Sequence, residues 1–295
     1  MASSACTWCG APLADGERLP GRVGCTRCGA GTTDPWPSEE ELDHAYTEAY
    51  RPPGGRFSGP GDALLRRSRA QLAGRLDAIV PAGPVLDVGS GEGALLDALH
   101  RAGREATGLE RSATRPDVLD RDLSELEGDW AAVVFWHSLE HLPQPARAVE
   151  QAAKLLAPGG VLVIALPNSD SLQCRLFGGR WFALDPPRHL VHLGSGTLRR
   201  RLAELGLRVE RVSYWRGGQV VFGWVDGLVG LLPGHPSLFE AIRRPQARFR
   251  PLSRRRRAFT LAAAVLAFPF ALIAAAAEVA LRRGGTVYVE ARAPR

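Results

Sequence analysis

Lysine is all but missing from this 295-residue chain: Lys154 is the single one, so the formal charge of +6 rests almost wholly on arginine. Such a bias reads as GC-rich codon usage, and it removes overall charge as an argument for a nucleic-acid surface. What counts is where the arginines cluster. A positive stretch leading into an apolar one is also lacking after Met1 to Thr7, so the expectation is a chain that starts in the cytosol. Cysteine is scarce, with five in all, and four of them form two C-x-x-C pairs. That pattern excludes a disulfide framework and favours metal binding in a reducing compartment; Cys174 is left over as a small buried or loop thiol. The 45% hydrophobic share, 22 prolines and 33 glycines describe a folded chain with many loops, long enough for one α/β domain with appendages.

Cys6-Thr-Trp-Cys9-Gly and Cys25-Thr-Arg-Cys28-Gly are two near-identical knuckles. Each folds into a tight turn that the following glycine relaxes, so four thiolates can surround a tetrahedral Zn²⁺ at about 2.3 Å. Four soft ligands with no open position indicate a structural zinc site rather than free buried cysteines, and a redox dithiol would need only one pair. A zinc ribbon over residues 1–36 cannot bury a useful core, so metal would supply its folding free energy, on the order of 10 kcal/mol. Its loss is expected to cost this ribbon alone.

Pro84-Val-Leu-Asp-Val-Gly-Ser-Gly-Glu-Gly93 is an apolar strand running into a glycine-rich turn, and helical spacing follows over residues 94–100. Gly89, Gly91 and Gly93 let the backbone turn sharply and approach a ligand, while Asp87 at the strand's end can accept from the turn or from a ligand amine. A second strand over residues 105–110 ends in Glu110, an acid suited to a ribose diol. Asp122, in the polar turn after residue 120, is a candidate for the adenine amino group. Residues 130–135 predict a fourth strand leading into Trp136-His137-Ser-Leu-Glu140-His141. A helix over residues 145–156 should stop at Ala157-Pro-Gly-Gly160, before a fifth strand over 161–166. Alternating strands and helices imply an α/β fold with a parallel sheet.

The order V-L-D-V-G-S-G-E-G, G-L-E, F-W-H-S-L-E-H-L, L-L-A-P-G-G-V-L-V-I-A-L-P-N resembles the class I S-adenosylmethionine (SAM)-dependent methyltransferases, especially the branch with the ubiquinone-type O-methyltransferases. The match runs roughly over residues 80–214. It implies a Rossmann-like seven-stranded sheet, with the glycine turn on the methionine part of SAM and Glu110 on its ribose. Asp122 would then lie at the adenine and the Trp136-His137 pair beside the sulfonium. An NAD-dependent dehydrogenase is the rival for the same turn, but residues 207–214 and 285–292 look like the two closing strands of a methyltransferase sheet, the last antiparallel.

Methyl transfer to a hydroxyl needs alignment and removal of a proton. Candidate bases are His141 and His189, the latter in Asp-Pro-Pro-Arg188-His189, where two prolines stiffen the loop and Arg188 is a candidate for an anionic substrate group. For His141 the alternative is a helix-start residue that fixes the loop under SAM, and for the Pro-Pro loop a purely structural role. Over residues 37–78, Ser38 and Glu41 have capping-box spacing, and Tyr46 and Tyr50 follow, as in a helical lid.

An insertion over residues 217–284 separates the closing strands from each other. Residues 219–232 are apolar but too short to span a bilayer and contain Asp226, whereas residues 258–277 carry no charge and follow the arginines of Arg243, Arg244, Arg248, Arg250 and 254–257. The terminal strand must return to its sheet, so a single crossing is excluded. The expectation is a re-entrant segment broken at Pro269, or one lying on the cytoplasmic membrane face, with a buried helix or dimer interface as the alternative. The functional expectation is a membrane-proximal methyltransferase for a lipid-linked, quinone-like or glycan-type acceptor. An RNA methyltransferase is the second reading, weakened by the lack of an Asn/Asp-Pro-Pro-aromatic loop after the fourth strand; a SAM-binding scaffold without turnover is the third.

Overall fold

The computed structural model describes residues 4–46, 57, 61–215, 218–245, 248 and 251–295; Tyr50 and Arg250 lie outside them. Its centre is the unit β4 (Val85–Val88), α3 (Ala94–Arg101), β5 (Ala106–Leu109) and β6 (Val118–Leu119), continued by β7 (Trp130–Trp136), α4 (Pro145–Leu155) and β8 (Leu156–Pro167). β10 (Arg208–Ser213) and β11 (Thr286–Arg292) close a seven-stranded sheet of order β10-β11-β8-β7-β4-β5-β6. β11 runs antiparallel to both its neighbours, and the β4, β5, β6, β7 and β8 pairings are parallel. This is the Rossmann-like sheet that the motifs imply.

Helices cover both faces of the sheet, so β4 is buried at every residue and β7 at all but its first. The Ala157–Gly160 stop falls inside β8 rather than in a loop: Gly159 takes φ 73°, and the pairing of β7 with β8 shifts register between Trp130 and Ala132. From β4 the chain proceeds to β5 and β6 on one side and returns to β7 on the other. The strand order therefore reverses between β4 and β7, and the carboxyl ends of these strands are where open α/β sheets form a ligand crevice.

The N-terminal cysteines flank a small sheet, Cys6 and Cys9 before β1 (Glu17–Leu19) and Cys25 and Cys28 between β2 (Arg22–Gly24) and β3 (Gly31–Thr33), and the fourth strand of that sheet is β9 (Val191–His192), which belongs to the segment after β8. Cys6, Trp8, Leu13 and Val23 pack in the same cluster as Leu198 and Leu202 of α6 (Ser195–Glu204). The ribbon is thus built into the larger domain, and the expectation that its loss would be confined to itself does not follow from this packing.

In front of the sheet, α1 (Glu39–Ala45) starts at Ser38 with the complete capping box that the sequence predicts, Ser38 and Glu41 each accepting the other's backbone N–H. α2 (Gly61–Ile79) packs on α3. The insertion forms α7 (Gly218–Gly230), α8 (Leu238–Ile242) and α9 (Arg254–Ala280), which share a separate apolar cluster with α5 (Leu172–Phe177). Pro269 does not break α9, which is one continuous helix, so there is no re-entrant turn. The proline lies on the exposed side, where the carbonyl it leaves without a helical partner is not trapped in the core.

Candidate active site

The donor side of the crevice is built by one turn. Gly89, Gly91 and Gly93 have φ of 77°, 60° and 77°, which glycine alone adopts without strain. A side chain at Gly89 would collide with Cβ of Ser138, whose hydroxyl donates to the Val88 carbonyl at 2.5 Å. Ser138 thereby locks the end of β7 to the end of β4; its only trace in the sequence is its place directly after the Trp136-His137 pair. The Gly91 N–H donates to Oε2 of Glu110 at 2.8 Å, so this acid holds the turn across the mouth of β4 and β5.

Asp87 is buried, and burial, together with the nearby Glu110, pushes its carboxyl up to about 7 against the opposing pull of Arg69. Asp122 caps the short turn at Leu123–Glu125, accepting from the backbone N–H and the hydroxyl of Ser124. Trp136 packs edge-on to Tyr288, with the Arg69 guanidinium 5.0 Å above its ring. His137 takes φ 54°, anchored by its N–H to the Ala165 carbonyl and by Nδ1 at 3.3 Å from Glu140. Ser90 Oγ, His137 Nε2 and Glu140 Oε2 are buried atoms with no hydrogen-bond partner among the described residues. Such atoms fit a crevice whose polar partner is a ligand, and glycine turn, Asp87 and Glu110 together are of the right chemistry for a cationic amino acid joined to a nucleoside.

The candidate acceptor side, at His141 and His189, is assembled from distant segments. His141 and His189 lie with ring centroids 4.7 Å apart beside Glu140. Nδ1 of His141 lies 3.0 Å from the Arg188 carbonyl and from the Tyr46 hydroxyl, and Nδ1 of His189 lies 2.8 Å from the Ala183 carbonyl. A carbonyl only accepts, so each Nδ1 carries the proton and each Nε2 keeps its lone pair. Burial, then the neighbouring His189, holds His141 down at about 4, so it is neutral at physiological pH. Burial alone would raise Glu140, but His137, His141 and His189 around it more than offset this and hold it at about 2. Arg188 is buried in a two-pronged pair with Asp185, at 3.1 and 2.5 Å, so an anionic substrate group would have to share it with that carboxylate.

Thr33, which the sequence reading passes over, reaches this cluster from the ribbon. Its hydroxyl donates to the His189 carbonyl at 2.5 Å and lies 3.0 Å from Nε2 of His192. Only the pairing of β3 with β9 brings it there, and no local motif announces such a pairing. A cavity of about 1060 Å³ opens alongside, between the ribbon, α1, the Pro-Pro loop and the insertion, with Thr33, Glu41, Arg188, Glu240 and Arg256 among its walls.

The ribbon itself brings four sulfurs within 4.8 Å of one another, with Cys6 to Cys28 and Cys9 to Cys25 each at 3.6 Å. A tetrahedral Zn²⁺ with bonds of about 2.3 Å needs sulfurs about 3.8 Å apart, so the residues fit the metal. Both knuckles repeat one backbone pattern, Gly10 N–H to Cys6 O and Gly29 N–H to Cys25 O at 2.9 Å. Glu140, His141 and His189 also offer one ligand atom each within 4.8 Å, although His141 Nδ1 is already engaged.

A methyltransferase-domain family model matches residues 61–212, more than half of the chain. The chain therefore belongs to that family and is a class I SAM-dependent methyltransferase. It is similar to the ubiquinone biosynthesis O-methyltransferase of Paracidovorax citrulli (strain AAC00-1), 32% identical over 106 residues, which is 30% of this chain and 44% of the relative. The enzyme of the same description from Xanthomonas axonopodis pv. citri (strain 306) is 28% identical over 158 residues, covering 45% and 66%. For the first of these relatives the matched part spans less than half of the relative's length. Among solved structures, a SAM-dependent methyltransferase from Archaeoglobus fulgidus aligns over 76% of this chain and 94% of its own, at 18% identity and a TM-score of 0.45.

Proposed function

We propose that the chain methylates a hydroxyl of a small amphiphilic molecule, with SAM held at the glycine turn and His189 as the base. SAM would supply the methyl carbon. The chain's own residues then have two tasks: the glycine turn, Asp87, Glu110, Asp122 and the Trp136-His137 pair hold the donor, and the Glu140 cluster removes the acceptor's proton. One observation carries this reading. Both histidine Nε2 atoms are left with lone pairs because both Nδ1 atoms donate to backbone carbonyls, beside a carboxylate that favours the imidazolium. His189 is the stronger choice, because His141, held at about 4, is a weak base.

An acceptor of lipid-linked, quinone-like or glycan type agrees with the O-methyltransferase relatives, and the adjoining cavity is wide enough for one. It would be met at the cytoplasmic face of a membrane. The zinc is assigned a structural role. Nucleic acid is disfavoured, because the basic cluster is not one continuous open patch: Arg244 pairs with Asp62 and Arg257 donates to the Ala241 carbonyl, and the exposed arginines at the start of α9 lead directly into apolar sequence.

The test is production of S-adenosylhomocysteine with catechols, quinols and a membrane extract. His189→Gln should lower kcat by about 10²- to 10⁴-fold with SAM affinity unchanged. Unaltered turnover would remove His189 as the base, and SAM binding without turnover on any acceptor, or turnover on RNA alone, would favour the scaffold or the RNA reading.

A further inference from the structure

α9 is apolar on two sides, and only one of them is covered. Thr260, Ala264, Ala271, Ala275 and Glu278 form the buried stripe, and α7 packs against the helix. Small residues there let the two helices approach closely. The opposite stripe, at residues 259, 262, 266, 270, 273 and 277, repeats every three or four positions and is exposed throughout. It is not made of alanine alone: Leu266, Phe270 and Ile273 are 74%, 68% and 72% exposed and Phe259 about half, and beside the stripe Val265 is 72% and Phe268 about half exposed. No charge interrupts residues 258–277, a length of about 30 Å along the helix. Monomeric proteins rarely leave so long an apolar strip in water.

The charges that do occur stand at both ends and have one sign. Arg254, Arg255 and Arg256 are exposed at the start, and Arg282 and Arg283 just past the end. The one acid of the helix, Glu278, is buried and accepts from the Gln173 N–H, the Gln173 amide and the Trp224 indole, each at 2.9 Å. This pattern selects among occupants. A second copy laid along the strip would bring arginines against arginines whether the two helices ran parallel or antiparallel, with no exposed acid on α9 to answer them. A peptide partner would need an apolar stripe with acids at both tips. An anionic bilayer supplies both features at once, acyl chains for the strip and headgroups for the two arginine ends.

We propose that α9 is an in-plane membrane anchor, its exposed face sunk to the level of the upper acyl chains and its two arginine ends held among anionic headgroups. The covered stripe excludes a spanning orientation. From Thr260 near one end to Glu278 near the other the helix is fastened to the soluble layer, and crossing would strip that face from α7 and carry Glu278 away from Gln173 and Trp224. In-plane docking leaves these contacts intact and turns the same side of the molecule, which carries Arg256 at the rim of the acceptor cavity, toward the lipid. The inference does not depend on which atom is methylated, and its test requires no turnover.

Purified full-length protein is floated with phosphatidylcholine vesicles with and without about 30% phosphatidylglycerol. The wild type should rise with the anionic vesicles at least about tenfold more than with the neutral ones. Val265→Asp combined with Ile273→Asp, both outward-facing, should lower flotation by about 100-fold with SAM affinity retained. Arg254→Ser with Arg255→Ser should lower only the preference for anionic lipid. On vesicle-bound protein, Ala258→Cys and Leu281→Cys should both react with a membrane-impermeant maleimide. Protection of one end alone would overturn the in-plane orientation. Failure to float, or a wild-type dimer that the two aspartates split without any effect of lipid, would overturn the membrane as the occupant.

Discussion

The donor and acceptor sides of the crevice are built in opposite ways. On the donor side, Asp87, Gly89, Gly91 and Glu110 all lie in one β4-α3-β5 unit, and the contacts that matter, such as Gly91 to Glu110, close over short loops. On the candidate acceptor side, Thr33, Tyr46, His141 and His189 come from β3, the end of α1, the turn after β7 and the loop before β9. The first side is a local motif that folds as soon as its own strands pair. The second exists only once distant segments have docked, so it should be the more fragile of the two and the easier to damage without touching cofactor binding.

The largest expected separation comes from the metal. Removing zinc with a chelator, or Cys25→Ser, should abolish acceptor turnover, because β3 would no longer support β9 and the His189 loop. SAM affinity by calorimetry should change by less than about threefold, since Val85 of β4, Leu95, Leu96 and Leu99 of α3 and Ala106 of β5 pack in a cluster that contains no ribbon residue. Equal loss of both would show that the two sides are one cooperative unit.

Glu110→Ala attacks the other side. Loss of a charge-assisted acceptor that also ties down Gly91 should weaken SAM binding by about 100-fold, while the far-ultraviolet spectrum and zinc content stay the same. Wild-type affinity in this variant would remove Glu110 from the donor site.

A smaller effect should appear with pH. The Asp87 carboxyl is raised to about 7 in the folded chain, so binding a cationic amine must first ionise it. SAM affinity should fall by up to about tenfold per pH unit below 7, and Asp87→Asn should be weaker but flat with pH. The same shift acts on stability with a definite sign. The folded state holds this proton more tightly than the unfolded chain, so the contribution is greatest below the ordinary carboxylate range and is lost as pH rises toward 7.

The smallest change is Thr33→Val, which keeps the shape and removes one hydroxyl. It should lower kcat by about five- to tenfold, in line with one hydrogen bond of about 1 kcal/mol, and shift the pH profile of kcat, with SAM affinity unaltered. A change confined to melting temperature would make Thr33 part of the packing and nothing more.

The donor side was legible because glycine positions and strand ends are short-range signals. The glycine spacing and the acid at the end of β5 show in the sequence, and the antiparallel β11 follows from the closing strands; the clash with Ser138 that forbids a side chain at Gly89 shows only in the structure. The acceptor side was legible only as residue types. His141 and His189 stood out as chemistry, but their tautomers are set by the carbonyls of Arg188 and Ala183, which no pattern shows. Arg188 could be recognised as a cation, whereas its pairing with Asp185 depends on how the Pro-Pro loop turns. Pro269 was misleading for a related reason: it signals a break only where its free carbonyl has nowhere to go, and α9 exposes that side.

The shared sheet of the ribbon also has a consequence for biosynthesis. Thr33 and His192 stand 159 positions apart. The cysteine knuckles can capture metal while most of the catalytic domain is still untranslated, yet β3 must wait with an open edge until β9 emerges. Open edges recruit foreign strands. If the knuckles take zinc as they emerge, the metal would do more than stabilise a finished enzyme: it would keep a nascent segment compact through the interval before its partner strand is made, and cells short of zinc should then lose this protein during its synthesis rather than afterwards.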